Sequence, residues 1–356
     1  MCKEKVILFL SSLLFFTYSF SISAKAICVG IDCSIFPQST ILGLNAIDFL
    51  LPELITNNLL NGMAESAVLN NINSSMPSTR NLYKPEIGLG YSMTKTNLND
   101  RNILFQNTEL NQLPRYGAAI SPALQYGNNL SNIFGSSNSS LSKWNLNFHF
   151  FPYTFNELQI PFANIKNTNV NGKVFNSGLN FRYFPTIPKW NLFGSGIYID
   201  GISFGFGLFH TYQNAHLNSY DRRPFPLNIS SESRKWMGMN DLYYASDVYT
   251  SLVDTRGGIA WGRFFLYTGF GYTVNTVSSD LKLQRVAAIA TSSTSNDFVT
   301  RPTLAILNID EKFSRQYSVS FAAIGFEIKI SNFKLQAEFL KNQNSESGNI
   351  GIKYSF

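Results

Sequence analysis

The chain is short of charge. Only 14% of its 356 residues are Asp, Glu, Lys or Arg, against about a quarter in soluble proteins. Three histidines and three cysteines are too few and too scattered for a convincing metal cluster. No glycine-rich phosphate loop and no dinucleotide fingerprint is present, which removes the common nucleotide-binding classes. Past the first 26 residues no apolar run approaches the roughly 20 residues that a spanning helix needs. The formal charge of +6 includes Lys3, Lys5, Lys25 and Glu4, and the remainder holds 25 basic against 21 acidic residues spread along the chain. That small, dispersed excess predicts no nucleic-acid partner.

What is present is aromatic and apolar. Aromatics make up 15% of the residues and apolar types 44%, with a mean hydropathy of −0.03. Apolar residues in alternation, rather than in long runs, suit a β-barrel with an outward apolar face. The N-terminus has Lys3 and Lys5, the apolar run Val6 to Phe16 and a polar stretch ending in Ala24-Lys25-Ala26. This is the layout of an export signal, residues 1–26, with cleavage expected after Ala26; the run is too short for a membrane anchor. Cys2 leaves with the signal. Cys28 and Cys33, in Cys28-Val29-Gly30-Ile31-Asp32-Cys33, are expected to close a small disulfide loop. Lipidation of Cys28 is an alternative, for which Lys25-Ala26-Ile27 is a poor match.

From Ile41 to Ile72 the period is helical: Leu44, Ile47, Leu51, Leu54, Ile55, Leu59, Met63 and Val68 recur at spacings of three to five. Pro52 is expected to break this stretch into a short and a longer helix, and the polar run Asn70 to Pro77 to end it. Near Tyr83 the period changes to two. The alternation predicts ten strands, roughly 83–97, 116–127, 143–153, 173–185, 194–212, 247–260, 263–278, 315–330, 333–341 and 348–356. A hairpin hidden in 279–314 would make twelve. With residues 27–78 as a disulfide loop and helical plug, the barrel occupies 79–356.

A two-residue turn at Ser331-Asn332 sets a hairpin register in which Ile330 faces Phe333, Ile328 faces Leu335, Phe326 faces Ala337 and Ile324 faces Phe339. Glu327 then faces Gln336 and Lys329 faces Lys334, a like-charge pair that Glu327, Glu338 or water must offset. The lumenal face is read as Ser203, Gly205, Gly207, Gly269, Gly271, Glu327, Lys329, Lys334, Glu338 and Lys353. Because many of these are small, the lumen is expected to hold the Leu44–Val68 segment, with the Cys28–Cys33 loop at the periplasmic mouth. Four turns that open on an aromatic and a basic residue, at 143–146, 189–192, 261–264 and 332–335, are assigned to the periplasmic side.

The last nine residues, Gly348 to Phe356, put Ile350, Ile352, Tyr354 and Phe356 on one face and Gly351, Lys353 and Ser355 on the other. This resembles the closing strand of bacterial outer-membrane β-barrels, in which a terminal aromatic with alternating apolar partners is the assembly signal. The resemblance implies an outer-membrane address, Ile352, Tyr354 and Phe356 as the signal read by the barrel-assembly machinery, and outer-membrane lipid and lipopolysaccharide as surroundings. More distantly the chain resembles fatty-acid-transporter-type barrels, which carry an N-terminal hatch, and spirochaetal surface proteins of the adhesin type.

Two functions are expected to compete: a gated or plugged channel for small or apolar solutes, and an adhesin whose long loops bind host surface molecules. For the second, the loop 213–246 offers Arg222, Arg223, Arg234, Lys235 and Trp236 to anionic polymers, although loops of this composition also simply pack over a barrel mouth. His149 is read as a lumenal polar residue, His210 as interfacial and His216 as a loop residue. Asp221, Asp241, Asp247 and Asp254 near His216 raise the possibility of a rim hydrolase, but spacing alone establishes no triad. No enzymatic activity and no cofactor are expected.

Overall fold

Successive side chains of a strand point to opposite faces, and here one face is apolar and exposed while the other is small or polar and buried. The structure, a computed structural model, describes residues 23–30, 33, 60–97, 104–105, 108–109, 116–136, 138–156, 168–187, 190–192, 196–220, 225–229, 232–290 and 303–356. Ten strands form the wall: β1 Glu86–Asn97, β2 Tyr116–Asn129, β3 Trp144–Asn156, β4 Thr168–Tyr183 and β5 Ile197–Tyr220, then β6 Glu232–Trp261, β7 Phe264–Ala290, β8 Thr303–Ile330, β9 Phe333–Lys341 and β10 Ser345–Ser355. Each is antiparallel to the next, and β10 pairs with β1 through Ile352 opposite Leu89 and Ile350 opposite Tyr91. The sheet is therefore a closed ten-stranded barrel, with no free edge over the paired length.

In β1 the buried residues are Glu86, Gly88, Gly90, Ser92, Thr94 and Thr96, while Ile87, Leu89, Tyr91 and Met93 are exposed. That is the reverse of a soluble sheet and the arrangement a barrel adopts in lipid. The register expected for the β8–β9 hairpin holds at every pair, including Lys329 opposite Lys334. Ser331 starts that turn with φ of +55°.

The two mouths differ. At one, here the turn end, lie the barrel's termini Glu86 and Ser355 and the tight turns after Trp261 and Ile330. Trp190, Trp261, Phe264, Phe333 and Phe356 are all exposed there, as an interfacial girdle requires. At the other, the loop end, lie the far ends of β1, β3, β5 and β7 at Asn97, Asn156, Tyr220 and Ala290.

Strands β5 to β8 run far past the length a membrane needs. β6 has 30 residues, where roughly 9–11 suffice. The sequence shows where the apolar belt stops. On β7 the outward residues run Phe264, Leu266, Thr268, Phe270, Tyr272 and Val274, and then Thr276, Ser278, Asp280 and Lys282. On the same strand the inward residues Gly271, Thr273 and Asn275 give way to Val277, Leu281 and Leu283, with Ser279 among them. The polarity of the two faces changes at this level on β7 and on β8, where Ser314, Gln316 and Ser318 face outward and Ile309 and Phe313 inward. The extended β5 and β6 are mixed on both faces, with Met239 and Tyr249 exposed outside and Gln213 and Ser246 inside. This four-strand projection replaces the expected loops 213–246 and 279–314 over most of their length, and it places His216 in β5 rather than in a loop. Residues 281–290 and 303–309 extend β7 and β8 instead of forming a separate hairpin, so the count is ten and not twelve.

One helix, α1, Asn61–Ser74, lies inside the barrel. Leu60, Ala64, Val68, Leu69 and Ile72 are at most 4% exposed and pack on Phe209, Val248, Leu252, Val277, Phe321 and Leu340 or, for Leu60, on Tyr244, Leu281 and Ile309. Burying each of the Leu, Val and Ile side chains contributes roughly 1.5–3 kcal/mol. The helix ends inside the polar run as expected, two residues past Ile72: Asn70, Asn71, Asn73 and Ser74 belong to its last turn and are buried, because the lumen wall supplies their partners. Of the residues expected to form the plug, Met63 and Val68 are in α1, whereas Leu44, Ile47, Leu51, Leu54, Ile55 and Leu59 lie outside the described residues, as does Pro52.

Ahead of the helix, Ser23–Val29 forms a strand against β8, from Ser23 opposite Asp310 to Val29 opposite Leu304. Cys28 and Cys33 are disulfide-bonded as expected, but the Cys28 end of the strand lies at the loop end, opposite the mouth with the tight turns. The reason is the direction of α1. Its start meets Ile309 and Leu281 of the projection, and its end reaches Gly351 and Lys353 near the turn end, so the N-terminal segment enters from the loop end. The expected cut after Ala26 falls inside the Ser23–Val29 strand.

Candidate functional site

Two places combine geometry with chemistry: the filled lumen and the projection. In the lumen, the last turn of α1 is held by polar side chains of the wall. Asn71 donates through Nδ2 to Thr211 Oγ1 at 2.6 Å and to the His210 carbonyl at 3.0 Å, and its Oδ1 lies 2.6 Å from His149 Nε2. Asn73 donates to Ser347 Oγ at 2.8 Å, Gln125 donates to the Ser74 carbonyl at 2.7 Å, and Ser92 donates to the Asn70 carbonyl at 3.2 Å. These bonds come from β1, β2, β3, β5 and β10, so the helix end is clasped from most of the circumference. His149 is thus lumenal, as expected.

The linker from Ser75 to Pro85 then crosses the turn end. Lys353 donates to the Met76 carbonyl, Ser78 Oγ donates to Asn147 Oδ1 at 2.6 Å, and Thr79 Oγ1 donates to Glu327 Oε2 at 2.6 Å. Arg80 pairs with Asp200 at 3.7 Å and stacks over Phe265 at 4.4 Å. Gly351 is needed for this path, since a Cβ there would lie 2.5 Å from Met76 Sδ.

Beside the linker sits a buried ion cluster. Arg182 grips Asp254 with Nη2 at 2.7 and 2.6 Å to the two carboxylate oxygens and donates to Ser203 Oγ at 3.0 Å. Arg256 donates to Asp254 through Nε at 2.8 Å and makes a two-point contact with Glu338, whose Oε2 also accepts from the Tyr267 hydroxyl at 2.7 Å. Gly205 makes room for the pair: a Cβ there would meet Asp254 Oδ1 at 2.0 Å and Arg182 Nη2 at 2.6 Å. Charges in such a site survive only when paired and hydrogen-bonded, and each of these is.

The residues read as lumenal divide as follows. Ser203, Gly205, Gly207, Gly269, Glu327, Glu338 and Lys353 are buried on the inner face, and Gly271 is partly buried there. The glycines do not accommodate the helix, however. Gly207 and Gly271 are filled by Phe209 and Phe321 of the wall, and Gly269 by Arg256. Lys329 keeps the inward phase but is exposed past the turn-end rim. Lys334 is offset by Glu86, not by Glu327 or Glu338.

On the outer face above the belt, His210 stacks on Tyr249 at 4.5 Å and bonds Asp247 at 2.7 Å, and His216 bonds Asp241 at 2.5 Å. Asp254, by contrast, is lumenal, so the acidic residues grouped near His216 in sequence fall on opposite faces of β6; Asp221 lies outside the described residues. A cavity of about 880 Å³ lies at the loop end across β3 to β8, among Phe155, Lys173, His216, Asp241, Tyr243 and Lys282. Arg234, Lys235 and Trp236 lie two residues into β6 and pair through their backbone with Leu227, Pro226 and Phe225, in a hairpin at the tip of the projection. Arg222 and Arg223 lie outside the described residues.

Glu311, on the inner face of the projection, carries a titration. It is 3% exposed, and burial pushes its carboxyl up to about 7. A folded-state value raised above the ordinary 4.5 means that the folded protein holds the proton longer than the unfolded chain. This contribution to stability is complete below pH 4.5 and is lost as pH rises to about 7. Glu311→Gln is therefore expected to raise the urea midpoint at pH 8 and leave it unchanged at pH 4; an equal effect at both values would exclude a buried carboxyl as the cause.

Several solved structures are similar to this chain in part. The monoaromatic hydrocarbon channel CymD is 9% identical with a TM-score of 0.26, covering 84% of this chain and 97% of its own. The translocator domain of the autotransporter NalP from Neisseria meningitidis is 8% identical with a TM-score of 0.33, covering 85% and 99%. Ail, the attachment invasion locus protein of Yersinia pestis, is 11% identical with a TM-score of 0.22, covering 77% and 100%. Likeness at this level carries no argument about role. No curated protein matches the chain. The match that spans nearly all of it, residues 21–356, is to the Lsa36-like family, a spirochaetal surface-protein family, and the protein belongs to that family.

Proposed function

We propose that the protein is an outer-membrane surface-binding protein, in which a plugged barrel anchors a projecting sheet that meets its ligand outside the cell. The observation that carries this reading is the inversion of face polarity on β7 and β8, beside the similarly extended β5 and β6. Beyond the belt β7 and β8 turn a polar face to water for ten residues or more, which anchoring does not need. The turn end faces the periplasm and the loop end the exterior, since short turns and barrel termini lie on the periplasmic side of such barrels. In the tip hairpin, Arg234-Lys235-Trp236, with Arg222 and Arg223 close to it in sequence, suits an anionic polymer such as a sulfated host polysaccharide.

Replacing Arg222, Arg223, Arg234 and Lys235 by Ala in the full chain, folded into lipid vesicles, is expected to weaken binding to heparin about tenfold or more at physiological salt, with a shallower salt dependence. Unchanged affinity and salt slope would remove the tip as the binding surface.

A second reading, a gated channel for small or apolar solutes, is supported by one feature. The wall closes by its own backbone ladder from β10 to β1, so α1 is a separate body that can leave without opening the sheet.

A further inference from the structure

Two cavities lie one above the other on the face made by β8, β9, β10 and β1. The lower is a groove of about 510 Å³ on the outer face of the apolar belt. Its floor is Ala337 and Gly348, the two small residues in otherwise bulky outward rows, and its walls are Phe326, Phe339, Ile350 and Met93. A Cβ added at Gly348 would meet nothing within 4 Å.

The upper cavity, of about 490 Å³, is a notch in the wall. β9 ends at Lys341 and β10 starts at Ser345, while β8 continues to Thr303. β8 is paired with β9 only from Ala322 down and with the Ser23–Val29 strand only from Asp310 up. Between these limits, among the described residues, its edge has no strand partner and α1 is open to the side. The notch holds Arg315, Tyr317, Ser318, Gln343 and Asn344, with Glu65 of α1 at the back. Glu65 accepts from Asn342 Nδ2 at 2.8 Å and Ser345 Oγ at 3.1 Å. The Tyr317 hydroxyl is buried and has no hydrogen-bond partner within the chain.

We propose that this face binds one outer-leaflet glycolipid, with an acyl chain in the groove and a phosphorylated sugar head in the notch. The height decides the class. The groove lies in the belt, where the solvent is hydrocarbon, and the notch begins where Ala322 gives way to Ser320 and Ser318, at the level of lipid head groups. The notch chemistry selects the head. Arg315, exposed at its rim, meets a phosphate; amides, the Tyr317 hydroxyl and the Glu65 carboxylate match sugar hydroxyls. An ordinary annular lipid would use the groove but has no use for the notch.

The test is native mass spectrometry of the full chain folded into phosphatidylethanolamine vesicles doped with a bisphosphorylated lipid A and released in mild detergent. The wild type is expected to retain one lipid A per barrel. Gly348→Trp, which fills the groove, and Arg315→Ala, which removes the rim cation, are each expected to reduce retention about tenfold. Val253→Trp, on the outward face of β6 across the barrel, is expected to leave retention unchanged. Heat-modifiable migration reports that each variant is folded, and Arg315→Ala keeps the test standing if Gly348→Trp folds poorly. Equal retention in all four proteins, or phosphatidylethanolamine retained as readily as lipid A, would overturn the proposal.

Discussion

Asp254→Ala is expected to lower the unfolding free energy by about 3–5 kcal/mol, the usual effect of removing one partner from a buried ion pair. The carboxylate accepts three hydrogen bonds from two guanidiniums, and the side chains of Arg182 and Arg256 are 0% and 3% exposed. Without it Arg182 keeps only Ser203, and the two cations repel each other without an anion between them. Arg256 suffers less, because Glu338 still holds it. Asp254→Asn, which keeps the shape and one acceptor, is expected to lose less than Ala. Adding Arg182→Met to Asp254→Ala is expected to restore part of the loss, since the stranded charge is gone. The readout is urea unfolding of the vesicle-inserted protein followed by tryptophan fluorescence. A loss under about 1 kcal/mol, the scale of a solvent-exposed pair, would mean that water reaches the cluster and that the lumen is wetter than its packing implies.

That cluster was only half legible in the sequence. Arg182 and Glu338 fall on the polar phase of their strands by simple alternation, and Asp254 and Arg256 fall two residues apart inside another. Charged residues on the inner face of a membrane barrel must find partners, so their presence was readable. Their pairing was not: Arg182 and Asp254 are 72 residues apart, and Arg256 and Glu338 82 apart. Only barrel closure and stagger bring them together. The β8–β9 register, by contrast, depends on a two-residue turn and a strict period, both local, and every expected pair is found.

The strand ends went astray for a different reason. Reading an apolar outward face as the mark of a strand ends β7 near residue 278 and starts β8 near 315, which are close to the limits of the belt. Beyond them the period of two continues with its polarity reversed, as in any sheet with water outside and a core inside. Val277, Leu281, Ile309 and Phe313 carry that signal. α1 runs two residues past Ile72 although Asn and Ser are poor helix formers in water, because in the lumen Thr211, Ser347, Gln125 and Asn349 satisfy the amides and carbonyls of that last turn. A run of Asn and Ser next to a helical period, in a chain destined to enclose it, reads better as a lumen-facing helix end than as a linker.

Removing α1 is expected to have the largest functional effect. Replacing residues 60–74 with a Gly/Ser linker of equal length takes out the side chains that fill the section between Phe209, Val248, Leu252 and Phe321, and the wall, closed by β10 and β1, remains. In planar bilayers the wild type is expected to show no resolvable steps and the variant discrete openings. Because the Arg182–Asp254–Arg256–Glu338 cluster and the Ser75–Pro85 linker still constrict the turn end, those openings are expected to be small and to grow when Asp254→Ala is added. The comparison separates the two functional readings. If the wild type stays closed at every voltage while binding heparin through its tip, α1 is a permanent part of an anchor. If the wild type itself opens with the conductance of the variant, α1 moves in normal operation, and the barrel is a gated channel. A variant lacking α1 that folds yet stays closed would mean that the charged cluster alone seals the lumen, leaving the helix a structural role only.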